Sequence, residues 1–317
     1  MVEVTKIGNK TLVMDGKILS LFRKGSLLRQ MYYGGYEDFD GANGGVWKKY
    51  INIPIKTVPL EYAQYLIEID DTNVSVYNVE GTLKAQSAIA SEFWSLVRSD
   101  GFDIRAFDHL FNQLWFWVEE FDYTNKKAKI WVRLPENSEE LNIAFGNEKA
   151  YESWYNNGDE VFEFFDDFEG TELDTTKWEI NGNPTIEISN GIAYMTRDSG
   201  EDCIYTKQSF DFSAELLITE TKARWKGSGY GEGGIMTALD PSTGRHYWHY
   251  PSDWDDTIRA EKRSSHTNAV SSAKEAYSYQ ANVWFTLKAI VNIQASEIKT
   301  TIEDENGNYA EVTLSDN

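Results

Sequence analysis

A chain of 317 residues is long enough for two domains that each bury their own core. Its 51 Asp and Glu against 30 Lys and Arg leave a net charge of -21, which excludes an extended phosphate-binding surface and so nucleic acid as a partner. Aromatics at 14% and 23 glycines against 6 prolines favour β structure, and with Cys203 as the single cysteine no intrachain disulfide can form.

In chain order, the opening "MVEVTKIGNK" lacks an apolar run of signal-peptide length, and no stretch reads as a membrane span. "TLVMDGKILSL" sets Asp15-Gly16 between apolar runs, a hairpin signal. "YYGGYEDFDGANGG" (residues 32–45) follows as a connector, either a linker or a binding loop. Residues 1–45 are therefore expected to be a β appendage with its linker. From Trp47 onward the period of two is plain in "YINIPI", "YAQYLIEID", "LWFWVEEFD", "AKIWVRL" and "LNIAFGN". "TLKAQSAIASEFWSLVR" (82–98) has no Gly or Pro and predicts a helix, as does "NEKAYESWYNN", closed by Gly158. Residues 46–160 thus read as an antiparallel sandwich with one or two short helices.

Beyond residue 160, "TIEISNGIAYMT", "SAELLITETKARW", "GGIMTALD", "RHYWHYP", "TIRAEKR", "VWFTLKAIVNI" and "EIKTTIEDENGNYAEVTL" are strand runs without helical period. They predict a second sandwich over residues 161–317. The overall class is mainly β.

Chemistry-bearing patterns are sparse. His246 and His249 in "RHYWHY" fall on opposite faces of a strand, so a two-histidine metal site there would need a bulge. The serine-hydrolase elbow and the phosphate-loop signature are both missing. Aromatic and polar groups instead crowd one segment. Trp225, Tyr230, Arg245, Tyr247, Trp248, His249, Trp254 and Arg259 are the candidate ligand-binding residues. Sugars have an apolar ring face and a rim of hydroxyls, and an aromatic surface edged with Asp or Arg suits both. Alternation divides the run into Arg245, Tyr247 and His249 on one face and His246, Trp248 and Tyr250 on the other, and one of these sets belongs to the core.

"FFDDFEGTELDTTKWEI" (164–180) resembles the opening strand of concanavalin A-like lectin/glucanase sandwiches. "RSDGFDIRAFD" (98–108) and "KIWVRLPENSEELNIAFGN" (129–147) resemble domain of unknown function 2341, a β-sandwich often found before such a domain in microbial surface proteins and viral proteins. The resemblance implies a concanavalin A-like jelly roll for the second sandwich. It also implies a structural Ca²⁺ near its first strand, for which Asp166, Asp167 and Glu169 are the candidate ligands. Glucanases of this fold carry Glu-x-Asp-x-x-Glu on one strand. "EIDDTN" (from Glu68) and "EFDYTN" (from Glu120) begin that pattern but end in Asn, and residues 164–317 do not contain it. The expectation is a non-enzymatic binding or structural protein, oligomeric or part of a larger assembly. It would be a virion tail or surface component engaging surface glycan or neighbouring subunits. The alternatives are a β-glucan hydrolase and a secreted cell-surface adhesin. The chain stops soon after "YAEVTL", so a further strand is expected beside residues 164–168: the favoured source is a longer natural protein, the alternatives another subunit or an N-terminal segment such as "KTLVMDGKILSL".

Overall fold

The computed structural model describes residues 39–55, 62–79, 81–87, 89–196, 202–210, 216–225, 233–240, 243–252, 254–265, 268–278 and 280–315. Of the first 38 residues it describes only the backbone of the strands. The chain divides into two compact units, Met1–Asp166 and Asp167–Asn317.

Strands β1 (Val2–Ile7), β2 (Lys10–Asp15), β3 (Ile18–Arg23) and β4 (Ser26–Tyr32) pair antiparallel in sequence order. The Asp15-Gly16 signal joins β2 to β3, though Gly16 itself lies outside the described residues.

The first sandwich follows. Its strands are β5 (Lys49–Pro54), β6 (Ala63–Ile69), β7 (Val74–Asn78), β8 (Leu83–Ser87), β9 (Arg105–Asp108), β10 (Gln113–Leu114), β11 (Phe116–Asp122), β12 (Lys127–Leu134) and β13 (Glu140–Phe145). One sheet runs β10-β9-β13-β5 and the other β11-β12-β6-β7-β8. Alternation does what the sequence asks of it. Ile51, Ile53 and Ile55 from one sheet and Tyr65, Ile67 and Ile69 from the other are buried in a common core. Helix α1 (Ala90–Leu96) adds Phe93 and Trp94 to that core.

Two helix expectations need correction. The predicted helix over 82–98 is half strand, because Val74, Ser75, Val76 and Tyr77 of β7 pair with Leu83–Ser87 and sheet pairing overrides local propensity. "NEKAYESWYNN" is not helical, since hydrogen bonds to residues far away in sequence hold it as turns, and the one-turn helix α2 (Gly158–Val161) begins where a helix was expected to end. Asn157 caps α2 by accepting from Asp159 N.

The strand expected at 164–168 is also absent. Phe162 and Phe165 stack on each other at 5.8 Å and pack edge-on against Trp131 and Trp117 at 5.3 and 4.7 Å. This aromatic block therefore belongs to the first unit. A Cβ on Gly158 would lie 2.4 Å from the Phe165 ring, so that position has no room for a side chain. Phe168 then takes a left-handed conformation (φ 54°), outside the extended range of regular strand, and stacks on Trp178 at 6.0 Å.

The second unit holds β14 (Trp178–Asn181), β15 (Thr185–Ser189), β16 (Ile192–Thr196), β17 (Cys203–Thr206), β18 (Leu216–Ala223), β19 (Ile235–Asp240), β20 (Arg245–Ser252), β21 (Thr257–Ser265), β22 (Asn268–Ala276), β23 (Phe285–Asn292), β24 (Glu297–Asp304) and β25 (Tyr309–Ser315). β14 pairs with β17, and β15 with β16 across the left-handed turn residues Asn190 and Gly191. Sheet β18-β23-β24-β25 faces sheet β19-β20-β21-β22 across a core built on Ile258, Ala260, Leu287, Ala289, Ile298 and Ile302. The class is thus mainly β with antiparallel sheets, and the described residues include two short helices, both in the first unit.

Candidate functional site

Registration in sheet β19-β20-β21-β22 decides which candidate residues share a surface. Ile258 and Ala260 point into the core, and their partners on β20 are Pro251 and His249. Tyr247, two residues before His249, is on this inner face and packs against the core. The opposite face carries the pairs His246↔Arg263, Trp248↔Glu261 and Tyr250↔Arg259, with Lys274 of β22 beside Arg259.

His249 is therefore a core residue, removed from any ligand on the sheet surface. It is fully buried, and its Nε2 and Nδ1 lie 3.0 and 2.7 Å from the hydroxyls of Thr237 and Thr300, the latter on the facing sheet. Burial, with His246 nearby, drives its pKa down to about 3, so the ring is neutral and one nitrogen donates while the other accepts. Trp225 also belongs to the core edge, edge-on to Phe285 at 5.7 Å. Tyr230 lies outside the described residues. Arg245 is exposed at the β19–β20 turn.

The outer face is a connected aromatic and ionic array. Trp248 and Tyr250 stack at 4.2 Å. The Tyr250 hydroxyl donates to Glu261 Oε1 at 2.9 Å, while Arg263 Nε donates to Glu261 Oε2 at 2.8 Å. Glu261 is 4% exposed, so this carboxylate depends on those partners to offset its desolvation. Arg259 reaches Asp255 Oδ2 at 2.7 Å and Glu261 Oε1 at 3.6 Å. Asp255 also accepts from Lys274 Nζ at 2.9 Å and from the Thr257 hydroxyl at 2.7 Å. With Lys274 the largest cause, these donors hold the Asp255 carboxyl well below the usual carboxylate range. Trp254, next to Asp255 on the β20–β21 turn, is 73% exposed.

Of the predicted set, the structure thus brings Trp248 and Arg259 to one face, sets Trp254 on the turn that follows β20, and turns Tyr247 and His249 away from that face. Asp255, Glu261, Arg263 and Lys274 were missed. The signal that points to them is the alternation Arg259-x-Glu261-x-Arg263, an ionic row where a solvent-facing strand needs none.

The metal expectation fares differently. Asp167 Oδ1 accepts from Glu169 N at 3.3 Å, an ordinary turn contact. Among the described residues no group of three His, Cys, Asp or Glu side chains is placed to hold an ion.

The near-glucanase motifs are hairpin turns. Asp70 Oδ1 accepts from Thr72 N and Asn73 N at 2.7 and 2.6 Å, and Asp122 Oδ1 from Thr124 N and Asn125 N at 3.0 and 2.9 Å. Those backbone donors lower both pKa values, so each Asp is a fixed acceptor and Asn is the residue its turn calls for.

In the first unit, "RSDGFDIRAFD" builds a buried polar knot. Asp103 Oδ2 accepts from Gly146 N at 2.6 Å and Asn147 N at 3.1 Å, and its Oδ1 from Arg98 N at 3.0 Å. Trp47 Nε1 donates to the Asp103 carbonyl. Arg105, fully buried, donates to the carbonyls of Asp40, Phe102, Ile104 and Tyr151 at 2.7–2.8 Å. Desolvation lowers its pKa to about 10.

Compared with known proteins, residues 100–181 match the family described as Domain of unknown function (DUF2341). That segment begins in the Asp103–Arg105 knot and runs through the first strand of the second unit. A solved carbohydrate binding module, CBM66 from Bacillus subtilis, covers 45% of this chain and 90% of its own at 17% identity, with a TM-score of 0.33. No curated protein matches.

Proposed function

We propose that this chain is a glycan-binding protein without catalytic activity. Its second unit acts as a lectin-like sandwich, with the ligand site on the outer face of β20–β21 at the turn that joins them. The observation that carries this reading is Trp254, 73% exposed and adjacent in sequence to a carboxylate already shared by Arg259 and Lys274. An indole in water offers a flat apolar surface for the C–H face of a sugar ring. Asp255 accepts from hydroxyls while Arg259 and Lys274 donate to them, and a pre-formed network positions all three without further ordering cost.

The hydrolase alternative finds little support in the same residues. A glycosidase needs one carboxyl with a raised pKa as proton donor. Asp255 is shifted the other way, and both Glu261 oxygens are taken by Tyr250 and Arg263.

A glycan array read for both binding and turnover on one sample tests the proposal. Retention of neutral or acidic oligosaccharides without product, lost in Trp254→Ala, is the expected result. Turnover of a bound glycan would replace the proposal with the hydrolase. Immunolocalisation decides whether the binder acts on a virion or on a cell surface.

A further inference from the structure

A second group of exposed rings lies in the first unit, built on the polar knot. Trp154 is 82% exposed, Tyr151 64% and Phe102 40%. Tyr151 and Trp154 share one short loop, and exposed rings grouped in this way mark binding surfaces where singly scattered ones do not. Their backbone is held unusually firmly. The single guanidinium of Arg105 takes both the Phe102 and the Tyr151 carbonyls at 2.8 Å. Beneath Trp154 a closed ring of hydrogen bonds links Asp40, Gln113 and Ser153. Asp40 N donates to Gln113 Oε1 at 2.9 Å, Gln113 Nε2 to Ser153 Oγ at 3.2 Å, and Ser153 Oγ to Asp40 Oδ2 at 3.1 Å. Trp154 N joins the ring at 2.6 Å, again on Asp40 Oδ2.

We infer that Tyr151 and Trp154, with Phe102 at the edge, form a second binding platform whose ligand is a neutral polysaccharide. Three observations select that class. The rings are flanked on their own loop by exposed Glu148, Lys149 and Glu152, so the apolar area is limited to a few rings. A stable protein interface needs roughly 800 Å² from each partner, whereas a sugar unit or two needs only a ring face and adjacent polar groups. The net charge of -21 works against polyanions. The rigid loop lets the rings meet a ligand without being ordered by it. This site is independent of the one at Trp254.

Affinity electrophoresis of the full chain tests the inference, in native gels containing mixed-linkage β-glucan, xylan or galactomannan, with alginate as the anionic control. Trp154→Ala and Tyr151→Ala are expected to weaken retardation in at least one neutral gel by about tenfold in apparent affinity, as for loss of a stacked ring. Because both side chains are exposed, melting temperatures should stay at the wild-type value. Trp254→Ala separates the two sites, since retardation that survives Trp254→Ala and disappears with Trp154→Ala belongs to the first unit. Wild-type migration of the Trp154 and Tyr151 variants in every neutral gel would overturn the inference. So would absence of neutral retardation in the parent protein, retardation by alginate alone, or a dimer in light scattering that Trp154→Ala dissolves.

Discussion

The guanidinium of Arg263 lies 4.0 Å from the centre of the Trp248 ring. It comes from the side of His246, its cross-strand partner, while Tyr250 stacks from the other side. Both faces of this indole are thus occupied by the protein's own groups. Trp254, on the β20–β21 turn, is instead 73% exposed.

The two tryptophans should therefore respond differently to truncation. Trp254→Ala is expected to weaken glycan binding by about 1–2 kcal/mol with urea unfolding unchanged. Trp248→Ala should lose a stacked ring and a cation–π contact and destabilise the second unit by roughly 2 kcal/mol. Equal loss of binding with unchanged stability in both variants would contradict this division.

Glu261 offers a second test. Removing it leaves Arg263, at 12% side-chain exposure, without the carboxylate it faces. Glu261→Ala should cost about 3 kcal/mol. In a double-mutant cycle with Arg263→Ala the double variant should be more stable than the sum of the two single losses predicts. Additive losses would show that the pair does not couple.

His249 predicts an acid limb. Its folded pKa, about 3, lies below the unfolded value near 6.5, so between those values the unfolded chain binds the extra proton. Stability from this group is complete above pH 6.5 and falls as the pH drops toward 3, by on the order of several kcal/mol over the window. Chemical denaturation of the second unit between pH 7 and pH 4.5 should show that slope, and His249→Gln should flatten it. A slope unchanged in the variant would remove the assignment.

In the first unit, Gly41 has φ 70°, and a Cβ there would come 2.5 Å from Arg105 Nη2 and 2.9 Å from the Tyr151 carbonyl. Gly41→Ala combines left-handed strain with displacement of a buried cation. A loss of about 2 kcal/mol or more is expected in urea titration. A loss below 0.5 kcal/mol would mean that the knot yields easily.

If any hydrolysis of β-glucan is detected, Glu68→Gln and Glu120→Gln should leave its rate unchanged. Glu68 faces Lys129 across the strand pair at 3.7 Å, and the Asn that ends each motif belongs to a capped turn. Reducing-sugar release from matched samples measures this directly.

Much of the fold could be read from residue order because strand alternation and turn chemistry act locally. Ile51, Ile53 and Ile55 are buried where their spacing puts them, and Asn190-Gly191 turns its hairpin with both residues left-handed. Distant partners decided the rest. Leu83–Ser87 is a strand because β7 lies beside it, and residues 147–157 are turns because Arg105, Asp40 and Asp103 bind their backbone. The candidate site followed the same rule. Trp254 was visible as one of the aromatics crowding a single segment. Glu261 and Arg263 became legible only once β20 was set against β21, since their meaning lies in the residues opposite them.

The lodging of Phe162 and Phe165 on Trp117 and Trp131 also bears on how the gene can be divided. A break at residue 160 would strip both phenylalanines from the N-terminal fragment and bare two indoles to water. It would also give the C-terminal fragment an adhesive leader with no surface of its own to cover it. Moving the break to follow Asp166 lets the first fragment keep its own cover and starts the second at Asp167, one residue before Phe168, which already has Trp178 for company. Whether the halves express as soluble proteins or as inclusion bodies will turn on those few codons.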